Sequence, residues 1–132
     1  MLENVTILAM AKRRMDWAAE RQEVIAENIA NANTPGYRSR DAKPFVFKEM
    51  VPVTPVTVMN VSHPLHISSQ PLVDAGISIQ EDRHPFETKP DGNTVSLEEQ
   101  SVKMSDTKGN YDESATLFQK YVKMYRTSLS KG

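Results

Sequence analysis

Apolar residues recur every seven positions at both ends of the 132-residue chain and lose that rhythm in between. Near the start, one line runs through Met1, Leu8, Met15, Gln22 and Ile29. A second runs through Asn4, Ala11, Ala18, Ile25 and Ala32. They are spaced as the a and d positions of a coiled coil, with Asn4 and Gln22 as polar exceptions. The pattern predicts a helix over residues 2–32, ~45 Å long at ~1.5 Å per residue. At the other end Leu97, Met104, Tyr111, Phe118 and Tyr125 hold the period without a break. Ala115, Val122 and Leu129 add a second line, which Ser101 and Lys108 fail earlier, so residues 111–129 are read as the packing half. Gly109-Asn110 predicts a kink or a frayed first half, since an interior glycine costs ~1 kcal/mol relative to alanine.

All eight prolines fall between Pro35 and Pro90, so the ends are helix-capable and the middle is not. The expected fold is mainly α. An N-terminal helix (1–33) and a C-terminal helix (97–132) pack as a coiled-coil-like hairpin, with surplus apolar surface left for neighbouring copies. The proline-rich middle (34–96) forms an extended lobe with short strands. Phe45-Val46-Phe47, Val56-Thr57-Val58 and Ile77-Ser78-Ile79 are its strand-like fragments, and Asp91-Gly92 is a turn dipeptide.

The first helix runs out through Asn28-Ile29-Ala30-Asn31-Ala32-Asn33-Thr34-Pro35-Gly36-Tyr37. Proline disfavours the helical region for the residue before it, so the helix ends ahead of Thr34. Pro35 presets the turn's first dihedral, and Gly36 supplies the positive φ of a type II turn. Asn28, Asn31 and Asn33 are placed to bond carbonyls that the helix end leaves free.

Composition narrows the function. Sixteen basic and seventeen acidic residues give a net charge of −1, which lacks the basic face that nucleic acid calls for. There is no cysteine, hence no disulfide framework and no thiolate chemistry. No stretch approaches the ~20 apolar residues of a spanning helix. Val5–Ala11 is followed, not preceded, by Lys12-Arg13-Arg14, unlike a secretory signal. His63 and His66 have Pro64 between them and no acidic residue close by, a poor metal set, and His84 stands apart. Asp74, Glu81, Asp82 and Glu87 are scattered, Ser68-Ser69 lacks a nucleophile elbow, and no glycine-rich phosphate loop is present. No catalysis, cofactor, metal or small-molecule substrate is expected. Trp17 has Arg13 and Arg21 at helical spacing, which suits a stacked cation or an anchor into a neighbouring subunit.

The ten residues Asn28–Tyr37, placed after a helix that starts close to Met1, resemble the N-terminal signature of the bacterial flagellar axial proteins, the rod, hook and hook-associated family. Tyr37-Arg38-Ser39-Arg40-Asp41 followed by Phe45 is similar to the small proximal rod members. So is Asp91-Gly92-Asn93-Thr94-Val95 leading into Leu97-Glu98-Glu99. The likeness covers about 70 residues at the two ends and is poor across 42–85, and Gly109-Asn110 departs from it. The resemblance implies a structural subunit exported uncleaved through the flagellar type III apparatus to the rod in the periplasm. Its implied partners are copies of itself, other rod proteins and the rotor and export-gate components at the base. A sibling proximal rod protein, a cytoplasmic helical-hairpin export adaptor and a small metalloenzyme on the three histidines are the alternatives.

Overall fold

The computed structural model describes residues 6–46 and 77–130. Two long helices dominate. Helix α1 spans Thr6–Ala30 and α2 spans Leu97–Leu129. Between them in sequence lie two short strands, β1 (Arg40–Ala42) and β2 (Ile79–Glu81), paired antiparallel with Asp41 opposite Gln80.

Helix α1 contains neither proline nor glycine and is rich in alanine, the best helix former. Helix α2 starts after Ser96, which is extended, and carries Glu98 and Glu99 in its first turn and Arg126 in its last. Those charges suit the ends of the helix dipole. The helix is unbroken through Gly109-Asn110, where a kink or fraying was expected. Gly109 is exposed with open space around it, so its cost is only one of propensity and packing elsewhere on the helix absorbs it.

The helices lie side by side and antiparallel. Asn28, near the end of α1, meets Gln100 near the start of α2, and Arg14 meets Asn110 further along. Helix α1 buries Leu8, Ala11, Ala18 and Ile25. Trp17 and Ala18 also form a small core with Ala42 of β1, on which Phe45 and Ile77 pack.

The strands differ from the expected ones. Phe45 and Val46 lie outside any strand, and the ladder forms earlier, at Arg40–Ala42. Backbone bonds from Lys43 to Ser78 and from Asp82 to Ser39 extend it at both ends. Phe45 is used as a core plug instead, tilted against Trp17 at 6.1 Å between ring centroids. Ile77 packs inward while Ile79, two residues on, is exposed, so the two isoleucines do not share one covered face. The Val56-Thr57-Val58 fragment lies outside the described residues.

Candidate assembly site: the hairpin and its turn

The end of α1 leaves backbone carbonyls without helical partners. Asn31 N–H is shared between the carbonyls of Glu27 and Asn28, and its side-chain amide donates to Glu27 O at 2.9 Å. Thr34 Oγ1 donates to Asn31 Oδ1 at 3.1 Å. The next open carbonyls are served from across the molecule. Asn93 Nδ2 donates to Asn31 O and Thr34 O at 2.9 and 2.8 Å, and Lys89 Nζ donates to Ala32 O at 3.0 Å. Asn33 and Ala30 face solvent.

Thr34-Pro35-Gly36-Tyr37 then closes a turn, with Tyr37 N–H donating to Thr34 O at 3.2 Å. Gly36 sits third with φ +72°, the sign a type II turn requires. Its N–H donates to Asp91 O, and Thr94 N–H returns a bond to Tyr37 O, both at 3.0 Å. The Asp91-Gly92 turn, with Gly92 at φ +83°, therefore lies directly against the first turn.

Asn28 is the centre of the junction and is fully buried. Its amide nitrogen donates to Arg40 O at 2.7 Å and to Gln100 Oε1 at 3.0 Å. Its oxygen accepts from Arg40 N–H at 3.0 Å and from Tyr37 Oη at 3.2 Å. Two donors and two acceptor sites are all that an asparagine amide has. Asn28 thus spends its whole capacity tying α1 to the turn, to β1 and to α2, not on carbonyls freed at its own helix end. Gln100 Nε2 is the one buried side-chain donor among the described residues with no partner.

A charged cluster braces the same region. Lys103 on α2 lies 2.8 Å from Glu99, 3.3 Å from Asp82 and 3.4 Å from Asp41. Arg21 of α1 grips Asp41 with two bonds of 2.7 and 2.9 Å and stacks on Trp17, 5.3 Å from its ring centroid. Burial would push the Asp41 carboxyl up, but the Arg21 hydrogen bond and charge, Lys103 and the Ala42 N–H outweigh it and hold it below its ordinary value. Burial also works to lower Lys103, yet Glu99, Asp41 and Asp82 hold its ammonium above the ordinary value. Trp17 Nε1 donates to Lys43 O at 2.8 Å, so this tryptophan anchors its own chain, and the stacked-cation expectation falls to Arg21.

The seam residues divide. On α1, Leu8, Ala11, Ala18 and Ile25 are buried, Met15 is half-buried, and Ile29 is exposed. On α2 the buried line is Gln100, Thr107 and Ser114, three residues after the expected one. Three residues on a helix of 3.6 per turn is a rotation of ~60°. Met104, Ala115, Phe118 and Val122 become half-buried flanks. Leu97 is 53% exposed, Leu129 is 65% exposed, and Tyr111 and Tyr125 are exposed as well. Of the three buried positions, Gln100 and Thr107 lie ahead of 111–129 and Ser114 lies within it. The Asn28–Gln100 bond and the Lys103 cluster fix the rotation, and small side chains at Thr107 and Ser114 suit a close approach to the alanines of α1. Both hydroxyls bond the carbonyl four residues back in α2, at 2.6 and 2.7 Å, so neither is left unpaired.

Sequence reasoning passed over Asn93, Gln100, Lys89 and Lys103. Asp91-Gly92 marked the turn, but nothing local marked the residue after it as a cap for a helix sixty residues away. The bond from Lys89 to Ala32 O makes that lysine part of the junction. Among the described residues no group of three or more His, Cys, Asp or Glu could hold a metal ion; His63 and His66 lie outside them. No helix among the described residues is long and apolar enough to cross a membrane.

The family model described as "Flagella basal body rod protein" matches residues 8–38, the stretch from the first buried leucine of α1 to just past the turn. Over most of its length the chain is also similar to curated relatives. The flagellar basal body rod protein FlgB of Agrobacterium fabrum is 30% identical over 126 residues, 93% of this chain and 92% of the relative. FlgB of Escherichia coli is 30% identical over 130 residues, 95% and 94% of the two chains. FlgB of Proteus mirabilis (strain HI4320) is 32% identical over 120 residues, 86% and 85%. This chain belongs to the FlgB family of flagellar basal-body rod proteins. FlgB-family membership makes it a structural component of the flagellar basal body, not an enzyme. Within this FlgB-family chain, the matched segment holds Asn28, Asn31 and Thr34, while Gln100, the partner of Asn28, and Asn93, the partner of Asn31 and Thr34, lie beyond it.

Proposed function

We propose that the chain is a subunit of the proximal rod and assembles helically, through its two terminal helices, into part of the hollow shaft that links the membrane rotor to the hook. It reaches the periplasm uncleaved through the flagellar type III export apparatus. There it contacts copies of itself, other rod proteins and the rotor and export-gate components at the base. The observation that carries this reading is the apolar surface that the hairpin leaves uncovered. Leu97, Tyr111 and Tyr125, fourteen residues apart on the seven-residue line of α2, are exposed outside the intramolecular seam, and Leu129 is exposed one turn beyond Tyr125. Exposed apolar side chains in line on one helix suit an interaction site, and a contact that does not close on itself builds a filament. The Asn28-to-Tyr37 turn fixes the geometry of the two helices and so the shape that each subunit adds.

The test is removal of residues 115–132 in a strain that depends on this protein for motility. The truncated chain is expected to be made and yet to be missing from isolated basal bodies, with swimming abolished. Normal swimming of that strain overturns the reading.

A further inference from the structure

We propose that the outward flank of the last turns of α2 docks on the outward face of α1 in a second copy of this chain. The inference rests on the rod-subunit reading and names the surfaces that meet.

On α2 the docking flank holds Leu117 and Met124, which are 37% and 57% exposed and seven residues apart. Lys120 and Lys123 lie beside them, exposed and without an ion pair among the described residues. From residue 114 to 130 the helix carries three basic side chains, with Arg126, and no acidic one. On α1 the spacing of Asp16, Glu20, Glu23 and Glu27 puts four carboxylates in one stripe, on the side opposite Ala18 and Ile25. Glu27 pairs with Arg40, while Asp16, Glu20 and Glu23 make no ion pair among the described residues. Like charges at these spacings repel, so α1 bears this stripe at a cost to its own helix.

The two surfaces match in more than charge. Exposed Ala19 and Ala26 border the acidic stripe and are seven residues apart, as Leu117 and Met124 are. Large knobs at that period fit holes floored by alanine, with opposite charges alongside, as in paired coiled-coil helices. Within one chain the acidic stripe faces away from α2, so the match is met between chains and not within one. The contact joins two different faces and therefore propagates head to tail. A basic, apolar helix flank would also suit an anionic membrane, but a membrane offers no reason for the alanine-bordered acidic stripe.

The experiment compares basal bodies isolated from strains carrying the full-length chain. The variants are Lys120→Glu with Lys123→Glu, Asp16→Lys with Glu23→Lys, and all four together. Each reversed pair is expected to lower the amount of this protein in basal bodies about tenfold, because like charges then face each other across the contact. The fourfold variant is expected to recover most of it. Neutral pairs, Lys120→Gln with Lys123→Gln and Asp16→Asn with Glu23→Gln, are run in parallel and are expected to show a smaller loss, so that a reversed helix that fails to fold does not decide the matter. Normal incorporation of the neutral and reversed pairs overturns the docking while leaving the rod reading in place. Loss in both reversed pairs without recovery in the fourfold variant also overturns it, since the occupant is then another protein or a membrane. Absence of the unmodified protein from basal bodies overturns both.

Discussion

Gly36 and Gly92 stand back to back, with the Cα of Gly36 3.5 Å from where a Cβ on Gly92 would lie. Each holds a positive φ in a turn, and backbone bonds join the two turns. Space is not what demands glycine at position 36, since a Cβ there meets nothing within 4 Å. The demand is conformational. Gly36→Val is expected to destabilise the chain by ~1–3 kcal/mol, the cost of holding a non-glycine residue in a sparsely populated region. Gly36→Asn is expected to lose roughly half as much, because asparagine visits that region more readily. Urea denaturation of the full chain measures both, and equal stability of the two variants would show that the turn relaxes to another shape.

The junction amides should matter far more than their exposed neighbour. Asn28→Ala strands the Arg40 N–H and carbonyl and the Tyr37 hydroxyl, and each buried group left unpaired costs ~1–3 kcal/mol. Asn93→Ala strands the buried Val95 N–H and leaves the carbonyls of Asn31 and Thr34 with one bond each, from the N–H groups of Thr34 and Tyr37. Asn33→Ala, at an exposed position, is expected to stay within ~0.5 kcal/mol of the parent. Hydrogen exchange at the Arg40 amide gives a local check, with protection lost in Asn28→Ala and kept in Asn33→Ala.

The polar seam should be improvable. Thr107 and Ser114 are buried, and their hydroxyls bond only to their own helix. Thr107→Val, which exchanges a hydroxyl for a methyl, and Ser114→Ala, which removes a hydroxyl, are expected to be neutral to stabilising, by up to ~1 kcal/mol each, since no partner is stranded. A fall in the urea midpoint for either variant would mean that the hydroxyl serves the contact with α1.

The Asp41 and Lys103 cluster sets a pH window. Asp41 has a lowered carboxyl pKa in the folded chain, so its contribution is present above the ordinary value of ~3.9 and is lost as pH falls through the lower folded value. Lys103 is raised, so its contribution is present below ~10.4 and is lost as pH rises through the higher folded value. The contribution of this pair is expected to be level between about pH 5 and 9 and to fall away outside that range. Asp41→Asn should cost ~1–3 kcal/mol at pH 7, the worth of hydrogen bonds to a charged group, and should flatten the acid limb. An acid limb of unchanged steepness would assign that sensitivity to other carboxylates.

The sequence made the two helices legible because their signals are local and repeated. It also placed the end of α1 and the positive φ at Gly36, because proline and glycine act through their own dihedrals. The rotation of α2 was not legible. Period alone favoured the line through Leu97 and Tyr111, but Asn28 and Asp41, distant in sequence, set the buried line through Gln100 and Thr107. Nor could pattern reading find Asn93 as a cap for α1, since its capping contacts join residues far apart in the chain. The strand at Arg40–Ala42 was missed for a related reason. It is too short and polar to announce itself, and it forms because Ser39 and Lys43 pair across to β2.

The back-bonded hydroxyls of Thr107 and Ser114 make the hairpin a pair of tongs. Drawing α2 away from α1 there strands neither hydroxyl, because each keeps its partner on its own helix. Among the described residues, Arg14 links to Asn110 and Glu113 and so ties the arms together by polar contact at that depth. At the other end, any parting must break the saturated bonds of Asn28 and Asn93 together. A force on the tips therefore spreads the arms and leaves the pivot untouched. A subunit so built can adjust the opening of its arms to a neighbour while keeping the origin from which that opening is measured.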